Sequence, residues 1–212
     1  MSLRIGKMTI GAVATNCYFV YDDSIEGEKP AVVIDPADQG EMIYEKMKAS
    51  GLKCVAILLT HGHFDHIWGV QALRGKSGAK VYALDEEQAL LEDTGLNVSA
   101  QAGRACTVKA NEFFKDGQEV TIEGISFQVL ATPGHTQGSC CYYFKSADIL
   151  VSGDTVFEES IGRTDLPTGS MSKLVKSVKE KIYTLPDMVK IYPGHGGPTT
   201  VGHEKDYNPF IG

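Results

Sequence analysis

The sequence has few of the features that mark secreted, membrane-spanning or nucleic-acid-binding proteins. No apolar run approaches the roughly 20 residues that a transmembrane helix needs. The first residues, Met1–Gly6, lack the apolar core and the cleavage pattern of a signal peptide. Acidic residues outnumber basic ones, 27 to 20, whereas nucleic-acid binders carry clustered lysine and arginine. We therefore expect a cytoplasmic protein with no nucleic-acid partner and no membrane partner.

Cysteine usage gives no sign of a disulfide framework. The chain has five cysteines, an odd number, and no two of them have Cys-x-x-Cys spacing. A length of 212 residues is also long for a disulfide scaffold. We expect reduced, mostly buried thiols in one domain with a sizeable core, spanning residues 1–212.

Short apolar segments rich in β-branched and aromatic residues alternate with segments of helical period. The pattern predicts strands over Leu3–Ile10, Cys17–Tyr21, Ala31–Ile34, Val55–Leu59, Lys80–Ala83, Glu119–Ile122, Ile125–Leu130, Cys140–Phe144, Ile149–Ser152 and Val189–Tyr192. It predicts helices over Gly40–Ala49, Ile67–Leu73, Glu86–Leu91 and Ser172–Tyr183. Each helix has a single apolar stripe, as helices that cover the outer faces of sheets do, so the pattern indicates an α/β fold.

The most informative segment is Thr60–His66, which carries three histidines and one aspartate. It follows an apolar strand and precedes a predicted helix. Imidazole nitrogen and carboxylate oxygen both bind zinc, and also iron and manganese, so this loop is a good source of metal ligands. Because alternate residues of an extended loop point apart, two adjacent ions fit the spacing better than one.

Three further polar side chains stand at strand ends beside glycine, where the backbone can approach a site closely. They are His135 in Pro-Gly-His-Thr, Asp154 in Ser-Gly-Asp-Thr and His195 in Pro-Gly-His-Gly. Together with the loop above, these segments hold five of the six histidines of the chain. His203 falls outside the pattern, and we interpret it as a surface or structural residue.

These residues, in this order, resemble the His-x-His-x-Asp-His signature and the downstream His, Asp and His of the metallo-β-lactamase superfamily. The resemblance covers nearly the whole chain. It implies a four-layer αββα sandwich, with two mixed β-sheets flanked by helices, that holds two divalent metal ions, zinc or else iron or manganese. Carried over by position, it implies one metal on His61, His63 and His135, a second on Asp65, His66 and His195, and Asp154 as the bridge. It also implies a hydroxide shared by the metals as the nucleophile, with Asp65 as the catalytic residue that orients it.

Within the superfamily, the chain is most similar to short, single-domain glyoxalase II-like hydrolases. An aspartate at position 154 argues against β-lactam hydrolysis, since β-lactamases of this fold lack a bridging aspartate there. The resemblance implies a small-molecule substrate, a thioester of the S-acylglutathione type. Two departures leave the substrate open: only residues 196–212 follow His195, too few for the helical C-terminal region of glyoxalase II, and Gly197 replaces a tyrosine of that family.

Arg163 is the candidate substrate-binding residue, because it stands where glyoxalase II proteins place a basic residue that contacts glutathione. A planar guanidinium suits a substrate carboxylate. The other interpretation is a loop arginine tied to Asp165. We also expect the polar segment Leu96–Ala100 to be helical and to form one wall of the substrate cleft, or else to cover the protein from solvent.

Two other activities stay open on the same residues. Persulfide dioxygenases share this fold and a Gly-Arg-Thr-Asp segment like Gly162–Asp165, and they use a single iron. Here that iron would lie on His61, His135 and Asp154. Lactone hydrolysis at the two-metal centre is the third possibility. Metal identity, metal occupancy and oligomeric state are not decided by the sequence.

Overall fold

The protein is described by a computed structural model that covers residues 2–212. Two six-stranded sheets form the centre of this region. The first contains, in spatial order, β1 (Leu3–Ile10), β2 (Thr15–Asp22), β3 (Lys29–Ile34), β4 (Leu52–Leu58), β5 (Lys80–Leu84) and β6 (Glu112–Phe114). The second contains, in chain order, β7 (Glu119–Ile122), β8 (Ile125–Ala131), β9 (Cys140–Phe144), β10 (Ile149–Gly153), β13 (Lys190–Pro193) and β14 (Thr199–Thr200). A separate hairpin consists of β11 (Val156–Phe157) and β12 (Ser160–Ile161).

Both sheets are mixed. In the first sheet, β1 to β3 pair antiparallel and β3 to β6 pair parallel. The second sheet has the order β14-β13-β10-β9-β8-β7, in which β10 and β13 are parallel and the other neighbours are antiparallel. Strands β8, β10 and β13 therefore run in the same direction, and their carboxyl ends lie at one edge of the sheet.

The helices lie outside the two sheets. They are α1 (Gly40–Ala49), α2 (Phe64–Ile67), α3 (Val70–Ser77), α4 (Gln88–Leu91), α5 (Met171–Ser177) and α6 (Val201–Tyr207). Helix α5 continues into a π-helical turn, Val178–Ile182, and 3-10 turns occupy Asp85–Glu87 and Lys145–Ala147. Within residues 2–212, none of the helices is long and apolar enough to cross a membrane.

Three apolar clusters separate four layers. Because side chains alternate along a strand, Val33 packs towards the helices α1 and α3, whereas Val32 packs between the two sheets. The inter-sheet cluster includes Phe127 from the second sheet. The third cluster joins the other face of that sheet to the α5 region through Val178. The order is thus helix, sheet, sheet, helix, and the predicted αββα arrangement with two mixed sheets flanked by helices is confirmed.

Several predicted elements differ in their bounds or in kind. The predicted helix Ile67–Leu73 is wrong as a single element, because the backbone N–H of Gly69 bonds to the carbonyl of Ala37 and divides α2 from α3. The predicted helix at Leu96–Ala100 is also wrong. That segment is a series of turns, with Val98 in the left-handed region at φ 65°.

The remaining differences concern short elements and the cysteines. The predicted helix Ser172–Tyr183 begins one residue earlier and changes to a π-helical turn after Ser177. The short strands β6, β11, β12 and β14 were not predicted, since two- and three-residue strands have no detectable period. The helix α6 was not predicted either. Four of the five cysteines are buried and Cys106 is half-buried, in agreement with the prediction of mostly buried cysteines.

Candidate metal centre

The candidate ligands lie on four loops at one edge of the sandwich. The loop 59–66 follows β4 of the first sheet, and His135, Asp154 and His195 follow β8, β10 and β13 of the second. The carboxyl ends of these three strands share an edge, so residues that are 60 positions apart in the chain become neighbours. The predicted site residues divide into two groups that meet at Asp154.

The first group consists of His61, His63 and His135, all buried. His63 Nδ1 lies 2.8 Å from His135 Nε2, and that atom lies 3.2 Å from His61 Nε2. Three imidazole nitrogens thus converge on one point, although they come from two separate loops.

The hydrogen-bond network indicates where the protons of this group lie. His135 Nδ1 donates to the carbonyl oxygen of Arg163 at 2.7 Å. The hydroxyl of Thr60 donates to Asp35 at 2.6 Å, so it accepts from His61 Nδ1 at 3.1 Å. The Nε2 atoms of His61 and His135 therefore both carry lone pairs, and two lone pairs face each other across 3.2 Å. A cation between them would satisfy both acceptors.

Burial keeps these imidazoles neutral. Burial, followed by the neighbouring His66 and His135, lowers the pKa of His61 well below its ordinary value. Burial and His135 lower the pKa of His63 to about 3. Neutral imidazole is the form that binds a metal, so at neutral pH this group needs no deprotonation before it accepts a cation.

The second group consists of Asp65, His66 and His195, with Asp154 beside it. His195 Nε2 lies 3.3 Å from Asp65 Oδ2 and 3.5 Å from Asp154 Oδ2. His66 Nε2 lies 3.4 Å from Asp154 Oδ1, and His135 Nε2 of the first group lies 3.6 Å from Asp154 Oδ2. The Asp154 carboxylate therefore stands between the two groups.

The second group is a set of imidazole–carboxylate ion pairs. Burial opposes a charge on His66, but Asp65 and Asp154 outweigh it and raise the pKa of His66 well above its ordinary value. Burial likewise opposes charge on His195, while hydrogen bonds to Asp154 and Asp65 raise its pKa to about 9. The protons on these imidazoles balance the carboxylates, and a divalent cation can take their place.

Unpartnered polar atoms show that the donor set fits a metal. Among residues 2–212, the buried side-chain atoms without a hydrogen-bond partner are His63 Nε2, His66 Nε2 and Asp154 Oδ1. Buried polar atoms are normally hydrogen-bonded. His66 Nε2 and Asp154 Oδ1 lie 3.4 Å apart in the second group, which is the pattern expected where an ion completes the bonding. His63 meets its group through Nδ1, so its unpartnered Nε2 lies on the other side of the ring.

Asp35, at the end of β3, supports the site but was missed in the sequence. It accepts hydrogen bonds from the N–H of Thr60 at 2.8 Å, from the Thr60 hydroxyl, and from His66 Nδ1 at 2.9 Å. These bonds orient His66 so that its Nε2 faces Asp65 and Asp154. Its backbone has φ 50°, an uncommon value for a residue other than glycine. The signal available in the sequence was an apolar strand that ends in an aspartate.

A cleft with a volume of about 550 Å³ opens over the two groups. His63, Asp65, His135, Asp154 and His195 form its floor. Its walls carry partly exposed apolar side chains, which are those of Val13, Phe64, Phe157, Ile161 and Leu166. The site is therefore open to a molecule with both a polar and an apolar part.

Arg163 lies at the rim of this cleft and is tied to Asp165 at the same time. Its guanidinium donates to both carboxylate oxygens of Asp165, at 2.8 and 2.7 Å.

Two other expectations concern residues outside the cleft. Leu96–Ala100 lies outside the set of cleft-lining residues, so the prediction of a cleft wall is wrong. Instead, the carbonyl of Asn97 accepts the N–H of Phe64 at 3.0 Å and so fixes the position of the loop 59–66. His203 contacts Glu159 at 3.1 Å, away from the metal groups.

Comparison with known proteins is consistent with this geometry. Residues 10–195 match the family model described as the metallo-β-lactamase superfamily. The chain belongs to this superfamily. Its fold and the two groups of histidine and aspartate ligands together indicate two divalent metal ions.

Two relatives in the superfamily carry names that describe hydrolases. The probable metallo-hydrolase YqgX of Bacillus subtilis is 39% identical over 97% of this chain and 96% of its own length. The hydroxyacylglutathione hydrolase GloC of Haemophilus influenzae is 31% identical over 99% of this chain and 98% of its own length. The chain is accordingly a metal-dependent hydrolase by family.

Three solved structures, which carry different names, are also similar to this chain. One described as the BLEG-1 B3 metallo-β-lactamase is 40% identical, with a TM-score of 0.92, over 98% of this chain and 99% of that chain. TTHA1623 in a di-iron-bound form is 34% identical, with a TM-score of 0.84, over 97% and 99% of the two chains. ETHE1 from Myxococcus xanthus is 30% identical, with a TM-score of 0.76, over 99% and 84%.

Proposed function

We propose that this protein hydrolyses a thioester of the S-acylglutathione type, with S-lactoylglutathione as the reference substrate. The observation that carries the proposal is the pair of ligand groups joined at Asp154 on the floor of an open cleft. The similarity to GloC supports the choice of thioester.

The proposal assigns one metal ion to each of the two ligand groups. His61, His63 and His135 hold one ion, and Asp65, His66 and His195 hold the other. Asp154 would contribute to both ions, in keeping with its distances of 3.6 Å to His135 Nε2 and 3.4 Å to His66 Nε2. The ligands suit zinc, and iron or manganese as alternatives.

When bound, two such cations lower the pKa of a shared water and polarise a carbonyl group. Asp65 is the residue that orients the attacking water in this proposal. Burial opposes its charge, but His66 and His195 lower its pKa to about 2, so its carboxylate can only accept a hydrogen bond. The Thr15 hydroxyl donates to Asp65 Oδ2 at 2.7 Å and fixes the orientation of the carboxylate.

The rest of the cleft positions the substrate. Phe64 and Phe157 shield the apolar part of the acyl group from water, while Arg163 at the rim is available for a carboxylate of the thiol carrier. The departing thiolate needs little protonation, so the site requires no strong general acid. A site of this kind requires orientation and water activation more than proton transfer to the leaving group.

Oxidation of a persulfide at a single iron is the alternative that a specific observation favours. The similarity to ETHE1 supports it as well as the GloC similarity supports hydrolysis. The iron would lie on His61, His135 and Asp154, and the second group would bind no ion. Lactone hydrolysis on the two-metal centre is a further alternative, which the apolar walls of the cleft accommodate.

The deciding experiment combines metal counting with substrate assays. The protein is loaded with zinc, its metal content is measured, and thiol release from S-lactoylglutathione is followed. His63→Ala should lose an ion and abolish release. His203→Ala, which changes a histidine outside the site, is the matched control and should retain both ions and the activity.

Each alternative has its own assay. A protein with two zinc ions and no thiol release would refute glutathione thioesters as substrates. Oxygen uptake with glutathione persulfide by a form that holds one iron would favour oxidation. A lactone and a chromogenic cephalosporin complete the panel, the second because of the similarity to BLEG-1.

A further inference from the structure

Glu87 is a fully buried carboxylate behind the first group of histidines. It ends the 3-10 turn that follows β5, and its neighbour Glu86 is exposed. Within residues 2–212, no lysine, arginine or histidine forms an ion pair with it. A buried carboxylate without a cationic partner is costly unless hydrogen bonds satisfy it. The groups that donate to Glu87 therefore indicate its role.

Two of the metal-binding loops supply these donors. Glu87 Oε1 accepts the backbone N–H of Gly62 at 2.8 Å, and Oε2 accepts the backbone N–H of Gly138 at 2.9 Å. The Thr136 hydroxyl lies 2.9 and 3.0 Å from the two oxygens. Gly62 stands between His61 and His63, and Thr136 directly follows His135. One carboxylate thus joins the two loops that carry the first group.

Close packing of the backbone accompanies these bonds. A Cβ atom at Gly62 would come within 2.8 Å of side-chain carbons of Leu90 and Leu91. A Cβ atom at Gly138 would overlap the backbone of Glu87. Both loops therefore lie directly on segment 85–91, and their separation is set by that segment.

We propose that Glu87 is a positioning residue that holds these two loops together and so sets the metal affinity of the first group. The proposal rests on the ligand assignment given under the proposed function. The nitrogen atoms of His63 and His135 are 2.8 Å apart across the two loops, so a small movement of either loop alters the ligand geometry. Outer groups that orient ligands commonly change metal affinity by about 10- to 100-fold.

The test uses Glu87→Gln, which keeps the shape of the side chain. Its amide NH2 would face one of the two backbone N–H donors, so it cannot accept from both loops. Zinc affinity is measured by competition with a chromophoric chelator in two backgrounds. His195→Ala leaves the first group complete, and His63→Ala leaves the second. Adding Glu87→Gln should weaken zinc binding about tenfold or more in the first background and by less than about twofold in the second.

The control is Ile182→Ala, which removes buried side-chain atoms from the core below α5. Ile182→Ala should lower the melting temperature about as much as Glu87→Gln does, without changing the zinc affinity. The visible spectrum of cobalt in the His195→Ala background should change with Glu87→Gln and not with Ile182→Ala. Equal weakening in both backgrounds, or a fall in melting temperature alone, would overturn the proposal.

The measurement is separate from the test of activity, because it uses no substrate. If thioesters are not hydrolysed, the zinc affinities still decide the role of Glu87. If His63→Ala retains two zinc ions, the ligand assignment is refuted, and the role of Glu87 is refuted with it.

Discussion

The side-chain amide of Asn208 donates a hydrogen bond of 3.0 Å to the main-chain carbonyl oxygen of Ser160. The same amide donates to Glu204 Oε2 at 2.8 Å, and that oxygen accepts the backbone N–H of Glu159 at 3.0 Å. These contacts join the C-terminal end of α6 to the hairpin β11–β12. Because the hairpin carries Phe157, the last helix holds one apolar wall of the cleft in place.

We therefore expect Asn208→Ala to raise the KM for a thioester several-fold while kcat stays within about twofold. The free energy of unfolding should fall by about 1–2 kcal/mol, since the buried Glu204 loses a donor. Steady-state kinetics and urea denaturation measure both effects. Lys205→Ala is the control on the same helix, where the exposed pair with Asp187 contributes under about 1 kcal/mol. A fall in kcat with unchanged KM would mean that α6 acts on the metal centre instead.

Because Arg163 pairs with Asp165, variants of the two residues can distinguish two roles of the arginine, substrate binding and stabilisation of the loop. If Arg163 binds a substrate carboxylate, Arg163→Ala should raise the KM for S-lactoylglutathione about tenfold, a loss of about 1.4 kcal/mol. It should hardly affect a thioester that lacks carboxylates. Asp165→Asn frees the guanidinium and should lower the KM. If both variants change the KM equally and in the same direction, Arg163 only stabilises the loop. The bond from His135 uses the backbone carbonyl of Arg163, so neither variant removes it.

Metal loading at pH 7 should release about two protons, nearly all of them from the second group. In the metal-free protein the pKa of His195 is raised to about 9 and that of His66 lies well above its ordinary value, so both are protonated. The first group is neutral and releases none. Calorimetry in buffers of different ionisation enthalpy measures the release, with His63→Ala and His195→Ala isolating the groups. Metal affinity of the second group should fall as pH falls below about 9, and equal proton release from both groups would contradict the assignment.

The stability of the metal-free protein should depend on the ionisation of Glu87. Burial raises its pKa from 4.5 to about 7. The folded state therefore binds a proton that the unfolded state has lost between these values, and its contribution to stability is present below pH 4.5 and disappears as the pH rises through 7. Relative to Glu87→Gln, the wild type should lose on the order of 3 kcal/mol across this window. Urea denaturation from pH 4 to 8 measures the difference, and parallel profiles for the two proteins would refute it.

Strand and helix patterns predicted an α/β fold and brought the candidate ligands to light because both rest on local signals, whereas the sandwich was implied by the resemblance to the superfamily. The loop Thr60–His66 is recognisable by its composition alone, and strand ends next to glycine identify His135, Asp154 and His195. The strands of both sheets other than β6 and β14 were found within a few residues, since apolar alternation is local. The turns at Leu96–Ala100 were mistaken for a helix, because a left-handed Val98 leaves no trace in composition.

Residues whose role depends on burial could not be predicted. Asp85, Glu86 and Glu87 form an acidic run that is typical of a solvated surface, yet Glu87 is buried and the other two are exposed. Arg163 could be placed near the site, but its pairing with Asp165 was one of two interpretations until side chains were positioned. Asp35 becomes a partner of His66 only when β3 and the loop after β4 lie side by side.

The sequence by itself determined the chemistry that is available, namely five histidines and two aspartates on loops at strand ends, in an order typical of the superfamily. Only the tertiary structure decided how those groups are oriented and which other residues hold them. The reason is physical: ligand type and strand period are encoded locally, whereas the hydrogen bonds of Asp35, Glu87 and Asn208 join segments far apart in the chain. Such contacts exist only once both sheets have packed and water has been excluded from between them.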